Sequence, residues 1–270
     1  ERLLTSRLSK EALQNAASKF SEGLALAKEY RQADSLPQPT GHFSDLMQRL
    51  AHLDKITKCL MYIFDMHTFD TPGSILADIV IWESEPPCKD AELNQRLTAA
   101  KALVEGELAI ADRDFDRAVS KFEEGVEIEA THSDHDLLNR LRASLALAHG
   151  ERELKQLMFQ KAAVSLQRGA DEFKHTDGVL TSRLAALVHF ARGMRVLKSN
   201  YLQEAQDKFQ TGLQLQPQDT RTRQRLAAGV NLTQGRLLLL ARTPEDLERS
   251  TVEFQAGLQS VEAFDPELLG

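Results

Sequence analysis

The chain has 270 residues, and its 40 acidic against 33 basic side chains leave a net charge of −7. An acidic balance of this kind argues against direct nucleic-acid binding, which needs a basic face for the phosphate backbone. Aromatics make up 6% and apolar residues 42%, a composition that favours helices packed through small residues over a sheet protein. The two cysteines, Cys59 and Cys88, build no disulfide framework, so a reducing, intracellular (cytoplasmic or nuclear) compartment is expected. The longest apolar runs, such as Leu237 to Ala241, are too short to span a bilayer, so no membrane insertion is expected. The absence of an initiating Met suggests an excised fragment.

Residues 5 to 33 read as a long helix, with Ala12, Ala16, Phe20, Gly23 and Leu24 on its inner face and Lys10, Lys19, Glu22 and Lys28 solvated. Pro37, Pro39 and Gly41 end it, because prolines and glycine do not continue a helix. A second amphipathic helix runs from Phe43 to about Asp65, with Leu46, Leu50, Leu53, Ile56, Leu60 and Ile63 at helical steps. Thr71-Pro72-Gly73 marks a turn, Ile75 to Trp82 reads as a short helix, and Glu85-Pro86-Pro87 closes it. Residues 1–90 are thus an N-terminal helical segment containing one degenerate repeat and an insertion.

From Ala91 the pattern becomes regular. Each unit has a first helix with a mid-helix glycine (Gly106, Gly150, Gly193, Gly235), a turn, and a second helix. The second helices repeat one phrase, small-x3-bulky-x2-Gly-apolar: Ala118, Phe122, Gly125, Val126 returns as Ala205, Phe209, Gly212, Leu213. Weaker copies are Ala162, Leu166, Gly169, Ala170 and Ser250, Phe254, Gly257, Leu258, and a fifth opens the chain at Ala16. Offsets of four and seven lie on one helical face. The last four copies start at 118, 162, 205 and 250, in steps of 44, 43 and 45, a period that signals a helical solenoid. A glycine inside a helix costs about 1 kcal/mol relative to alanine. Its recurrence at one offset predicts close approach of paired helices, with Gly125 and Gly212 at helix–helix contacts. In the last unit Thr243-Pro244-Glu245-Asp246 reads as a helix start, with Thr as N-cap and Pro at the first helical position.

Gly106, Phe115, Ala118, Phe122 and Gly125, with Gly193, Ala205, Phe209, Gly212 and Pro217, and with Gly150, Phe159, Ala162, Leu166 and Gly169, resemble the tetratricopeptide-repeat pattern. The resemblance covers residues 91–262 and departs from the family in three ways. The period is near 44 where the family has about 34. Ala102, Ala146, His189 and Asn231 stand where the family has an aromatic, and Glu105, His149, Arg192 and Gln234 where it usually has leucine. It implies an all-α, right-handed α-solenoid of antiparallel helix pairs. Residues 91–270 would form the regular repeats, continuous with the first part as one superhelical domain.

No chemistry-bearing motif emerges. Asp112-Arg-Asp114-Phe-Asp116 with Glu123 imitates a calcium loop, but Arg117 stands where the loop needs glycine. An inter-helix turn accounts for it better. His132-Ser-Asp134-His135-Asp136 lacks further ligands at matching spacing and reads as a polar turn before a helix. No phosphate-binding, dinucleotide or zinc-protease motif occurs. No cofactor, metal or catalytic residue is expected.

The family's groove positions, carried over residue by residue, are Leu103, Glu107 and Ile110; Leu147, Glu151 and Leu154; Phe190, Met194 and Leu197; and Leu232, Arg236 and Leu239. The family's chaperone-tail receptors clamp a carboxylate there with Lys, Asn and Arg, and this chain has mainly leucine instead. The stripe reads either as core buried against the next repeat or as an apolar trough for a long partner segment. The expectation is a non-catalytic adaptor binding an extended or helical protein segment on its concave face. The alternative is a structural subunit of a large assembly docking through outer faces or ends, and an all-helical enzyme ranks last.

Overall fold

The computed structural model describes residues 10–32, 41–65, 78–79, 81–82, 89–130, 135–174, 178–241 and 243–262. All regular structure among them is helical. The helices are α1 (Lys10–Gln32), α2 (Gly41–Asp65), α3 (Ala91–Ala111), α4 (Phe115–Glu129), α5 (His135–Lys155), α6 (Phe159–Glu172), α7 (Gly178–Lys198), α8 (Leu202–Gln214), α9 (Thr220–Ala241) and α10 (Pro244–Glu262). Of the expected helix over 75–82, the described residues Asp78, Ile79, Ile81 and Trp82 are helical. The expected turns at 71–73 and 85–87, together with Pro37, Pro39 and Cys88, lie outside the described residues.

Side-chain caps set several starts. Asp90 accepts from the Leu93 N–H at 3.2 Å to open α3, and Asp114 accepts from the Arg117 N–H at 3.1 Å to open α4. The calcium-loop imitation is therefore an inter-helix turn. At α10 the Thr243 hydroxyl accepts from the Asp246 N–H at 3.1 Å and donates back to the Asp246 carboxylate, with Pro244 as the first helical residue. That is the start expected from the sequence.

The turns between first and second helices share one device. Arg113, Leu157 and Asn200 each have positive φ, at 64°, 57° and 64°. Each lies seven residues after its first-helix glycine (106, 150, 193). The following N–H folds back in every case: Asp114 to the Ala109 carbonyl at 2.9 Å, Met158 to Glu153 at 2.9 Å, Tyr201 to Val196 at 3.3 Å. These bonds satisfy carbonyls left open at a helix end, and glycine is the usual residue at the left-handed position.

Packing divides the chain into two compact units, Glu1–Leu145 and Ala146–Gly270. In the first, α1 packs on α2, α2 on α3, and α3 on α4. In the second, α6 packs on α7, α7 on α8, α8 on α9, and α9 on α10, with α7 also touching α9. Successive antiparallel helix pairs are the arrangement of an α-solenoid.

The repeated phrase works as an interlock within each unit. The bulky residue of a second helix presses into the glycine of its own first helix. A Cβ at Gly106 would stand 2.3 Å from the Phe122 ring, and at Gly193, 2.4 Å from Phe209. At Gly150 the partner is Leu166 at 2.3 Å, and at Gly235 it is Phe254 at 2.7 Å. The second-helix glycine in turn receives a leucine of the following first helix. Leu141 comes within 2.6 Å of a Cβ at Gly125, and Leu226 within 2.6 Å of one at Gly212. Both glycines thus sit at the helix–helix contacts their recurrence predicted. Phe122, Leu166 and Phe209 have no exposed surface, so each contributes its full burial, about 1.5 to 3 kcal/mol.

Candidate functional site

The twelve groove positions separate by burial. Leu103, Glu107, Ile110, Leu147, Glu151, Leu154, Phe190 and Leu197 are all buried. By burial they belong to the interior of the fold. Met194 and Arg236 are half-buried, and Leu232 and Leu239 are 37% and 41% exposed. The four that keep surface all lie on α7 and α9.

Two of them, Met194 and Leu232, line one feature. A trough of about 370 Å³ opens between α7, α9 and α10, with Met194, Leu232, Phe254, Gly257 and Leu258 on its walls. Phe190 lines it too, its ring 5.9 Å from the guanidinium carbon of Arg225. Gly229 of α9 also lines it, at the place where α7 carries Leu187, six residues before the first-helix glycine. Leu239 continues along α9, and Arg236 donates to the Asn200 side-chain oxygen at 2.9 Å. The walls are almost wholly apolar. They suit the apolar face of a protein segment and offer no converging acid, base or nucleophile.

The two glutamates of the expected groove are buried, and Glu151 meets two arginines. In the second unit, Glu151 accepts from Arg225 Nη1 at 2.7 Å, and Arg183 Nη2 lies 3.8 Å from its other oxygen. Arg183 Nε also stands 3.6 Å from Asp219. Burial alone would raise the Asp219 pKa, but Arg183 and the hydroxyl and N–H of Thr222 outweigh it and hold the carboxyl below its ordinary range. In the first unit, Ser144 donates to Glu107 at 2.7 Å. Complete burial pulls the neighbouring Arg140 guanidinium below its ordinary value, with Glu107 opposing that.

These arginines escape a reading that looks only for groove positions, yet they carry a signal. Arg96-Leu97, Arg140-Leu141, Arg183-Leu184 and Arg225-Leu226 all place the leucine nine residues before the first-helix glycine. In the last three the leucine is, or neighbours, the side chain over the preceding second-helix glycine. The arginine of α7 lies 3.8 Å from the acid that follows the preceding first-helix glycine.

Other reactive groups are quiet. Burial pushes the Cys59 thiol up to about 12, leaving it a protonated core group. Burial, followed by Arg192 and Lys208, lowers His189 and favours the neutral ring. Residues 131–134 lie outside the described residues, and with them His132 and Asp134. Among the described residues, no group of three or more His, Cys, Asp or Glu side chains is placed to hold a metal ion. No described helix is long and apolar enough to cross a membrane.

No protein-family model, curated protein or solved structure matches the chain. The tetratricopeptide resemblance therefore rests on the residues quoted for it, and the shared architecture is that of an all-helical repeat array.

Proposed function

We propose that the chain is a non-catalytic protein-interaction scaffold of tetratricopeptide-like type. It holds an extended or helical segment of a partner protein along the trough between α7, α9 and α10. The observation that carries this reading is the trough itself: about 370 Å³, apolar-walled, and open on a chain whose other large apolar side chains mostly pack into cores. Met194, Leu232, Arg236 and Leu239 are the contact residues, with Phe190 as the wall behind them. Binding needs no ion or nucleotide.

The test is the pair Leu232→Asp and Leu239→Asp in the full chain. Both side chains are more than a third exposed, so the array keeps its helix content and melting temperature. Partner capture is compared between wild type and variant, with the captured protein identified by mass spectrometry. Losing a central anchor costs about 2 kcal/mol or more, a roughly thirty-fold drop in affinity. A folded double variant that retains the partner would refute the trough and favour an assembly subunit docking through other faces.

A further inference from the structure

The turn between α5 and α6 breaks two local rules at once. Leu157 holds the left-handed position at φ 57°, where glycine is usual and other side chains are disfavoured. Met158 is the N-cap of α6 and makes no side-chain cap hydrogen bond, whereas Asp114 at the matching place of α4 accepts from the Arg117 N–H. Both side chains are also exposed, by 52% and 42%. A leucine and a methionine here neither pack in the core nor stabilise their turn. Residues that break local rules without a gain in folding collect at functional sites.

The pair lines a hollow of about 240 Å³ with Phe159 and the last turn of α7. Its charged members are Lys161, Arg195 and Lys198, and no acid lines it, on a chain of net charge −7. Arg195 donates to Gln160 Oε1 at 2.6 Å, tying α7 to α6 at the rim. Because α6 packs on α7 and α7 on α8, the hollow lies among helices that have their neighbours and not at an end of the array.

The other turns are internal controls. Between α3 and α4 the matching pair is Arg113-Asp114, with Asp116 close behind. Between α7 and α8 it is Asn200-Tyr201, and Asn200 accepts from Arg236. Counted from the glycines and the phrase, Glu204, Leu237 and Leu240 there replace Lys161, Arg195 and Lys198. An apolar pair rimmed by cations alone is therefore a property of the α5–α6 turn and not of the repeat.

We propose that this hollow is a second docking site, which takes an acidic segment of a partner protein by one apolar side chain. That side chain enters against Leu157, Met158 and Phe159, and carboxylates on either side of it face Lys161, Arg195 and Lys198. The concave shape favours a peptide side chain over a flat lipid surface. The hollow shares no lining residue with the trough, so the proposal stands apart from the scaffold reading given above.

A phage-displayed library of random peptides is depleted on the full chain carrying Met158→Asp and then panned on wild type. Peptides with acids around one large apolar residue are enriched. The dominant peptide, labelled with fluorescein, is titrated by anisotropy. Leu157→Gly and Met158→Asp each weaken it more than about ten-fold, the loss of an anchor contact. Both changes also repair the turn, one with the left-handed residue and one with a cap, so the urea midpoint holds or rises. Binding that falls while stability does not separates docking from folding. Lys161→Glu with Lys198→Glu weakens the peptide about ten-fold and flattens its salt dependence. These two positions are exposed, so that pair serves for depletion and decides alone should the turn variants unfold. Leu232→Asp with Leu239→Asp leaves the affinity unchanged. No enrichment, enriched peptides without acids, or wild-type affinity in the folded variants each overturns the proposal. Loss of the peptide with the Leu232 and Leu239 pair assigns it to the trough and also overturns it. Binding to phosphatidylserine vesicles that Met158→Asp abolishes, with no peptide enriched, assigns the hollow to a lipid surface and overturns it too.

Discussion

Gly193→Ala tests the interlock where the forces oppose most clearly. Helix propensity alone favours alanine by about 1 kcal/mol. The new methyl would stand 2.4, 2.7 and 2.8 Å from three carbons of the Phe209 ring, where about 3.5 to 4.0 Å is a comfortable separation. The ring is fully buried, with the Gly229 backbone of α9 close by and Phe190 at 5.9 Å, so it has little room to retreat. Overpacking costs about 1 to 3 kcal/mol, and a gap short by more than 1 Å against a fully buried ring belongs at the upper end. The net expectation is a loss of about 2 kcal/mol, read as a shift in urea midpoint by circular dichroism at unchanged slope. Gly257→Ala is the control: its methyl finds ordinary contact distances, so propensity wins and stability rises by up to about 1 kcal/mol. Adding Phe209→Ala to Gly193→Ala removes the clash, so the two changes cost less together than their sum. If Gly193→Ala matches or exceeds wild type, the ring does not sit on the glycine and the interlock argument fails.

Other expectations follow from the same contacts. Leu147→Asp combined with Phe190→Asp unfolds the second unit, because both side chains are buried core groups; a folded, cooperative variant by circular dichroism would place them at the surface. Leu157→Gly stabilises the chain by about 1 kcal/mol, since a half-exposed leucine is held at φ 57°; an unchanged urea midpoint would contradict the left-handed turn. Asp219→Asn keeps a capping side chain but removes the charge beside Arg183, costing about 1 kcal/mol at neutral pH. Because folding lowers the Asp219 pKa from 3.8, its contribution is present above about pH 4 and is lost as pH falls through the folded value. The gap between wild type and variant therefore closes in acid, and a pH-independent gap would show that the ion pair does not form.

The helix pairs were legible because their signals are local. Ala118, Phe122 and Gly125 lie four and seven residues apart on one helix, and that spacing already specifies notch, knob and notch. The groove was not legible for the complementary reason. The face carrying Leu103, Leu147 and Phe190 looks the same in sequence whether the next first helix covers it or solvent does. Exposure at Leu232 and Leu239 depends on what stacks after α9, which no spacing within α9 encodes. Turn chemistry was missed because Arg113 and Leu157 occupy left-handed positions without the glycine that normally announces them.

The inward-turned charges supply what the apolar interlock lacks. A leucine over a glycine is the same joint wherever it is made, so by itself it does not distinguish one neighbouring helix from another. Buried ion pairs add little net stability over apolar replacements, yet a mismatched neighbour leaves a charge desolvated and unpaired, which costs several kcal/mol. Glu107, Glu151, Met194 and Arg236 occupy one position, the residue after the first-helix glycine, and run from acid through neutral to base. Arg183 and Arg225 both converge on Glu151, and Arg225 reaches past Met194 to do so. Arg183 and Arg225 thereby tie α7 and α9 to α5 through one carboxylate, a contact that the apolar joint alone does not specify.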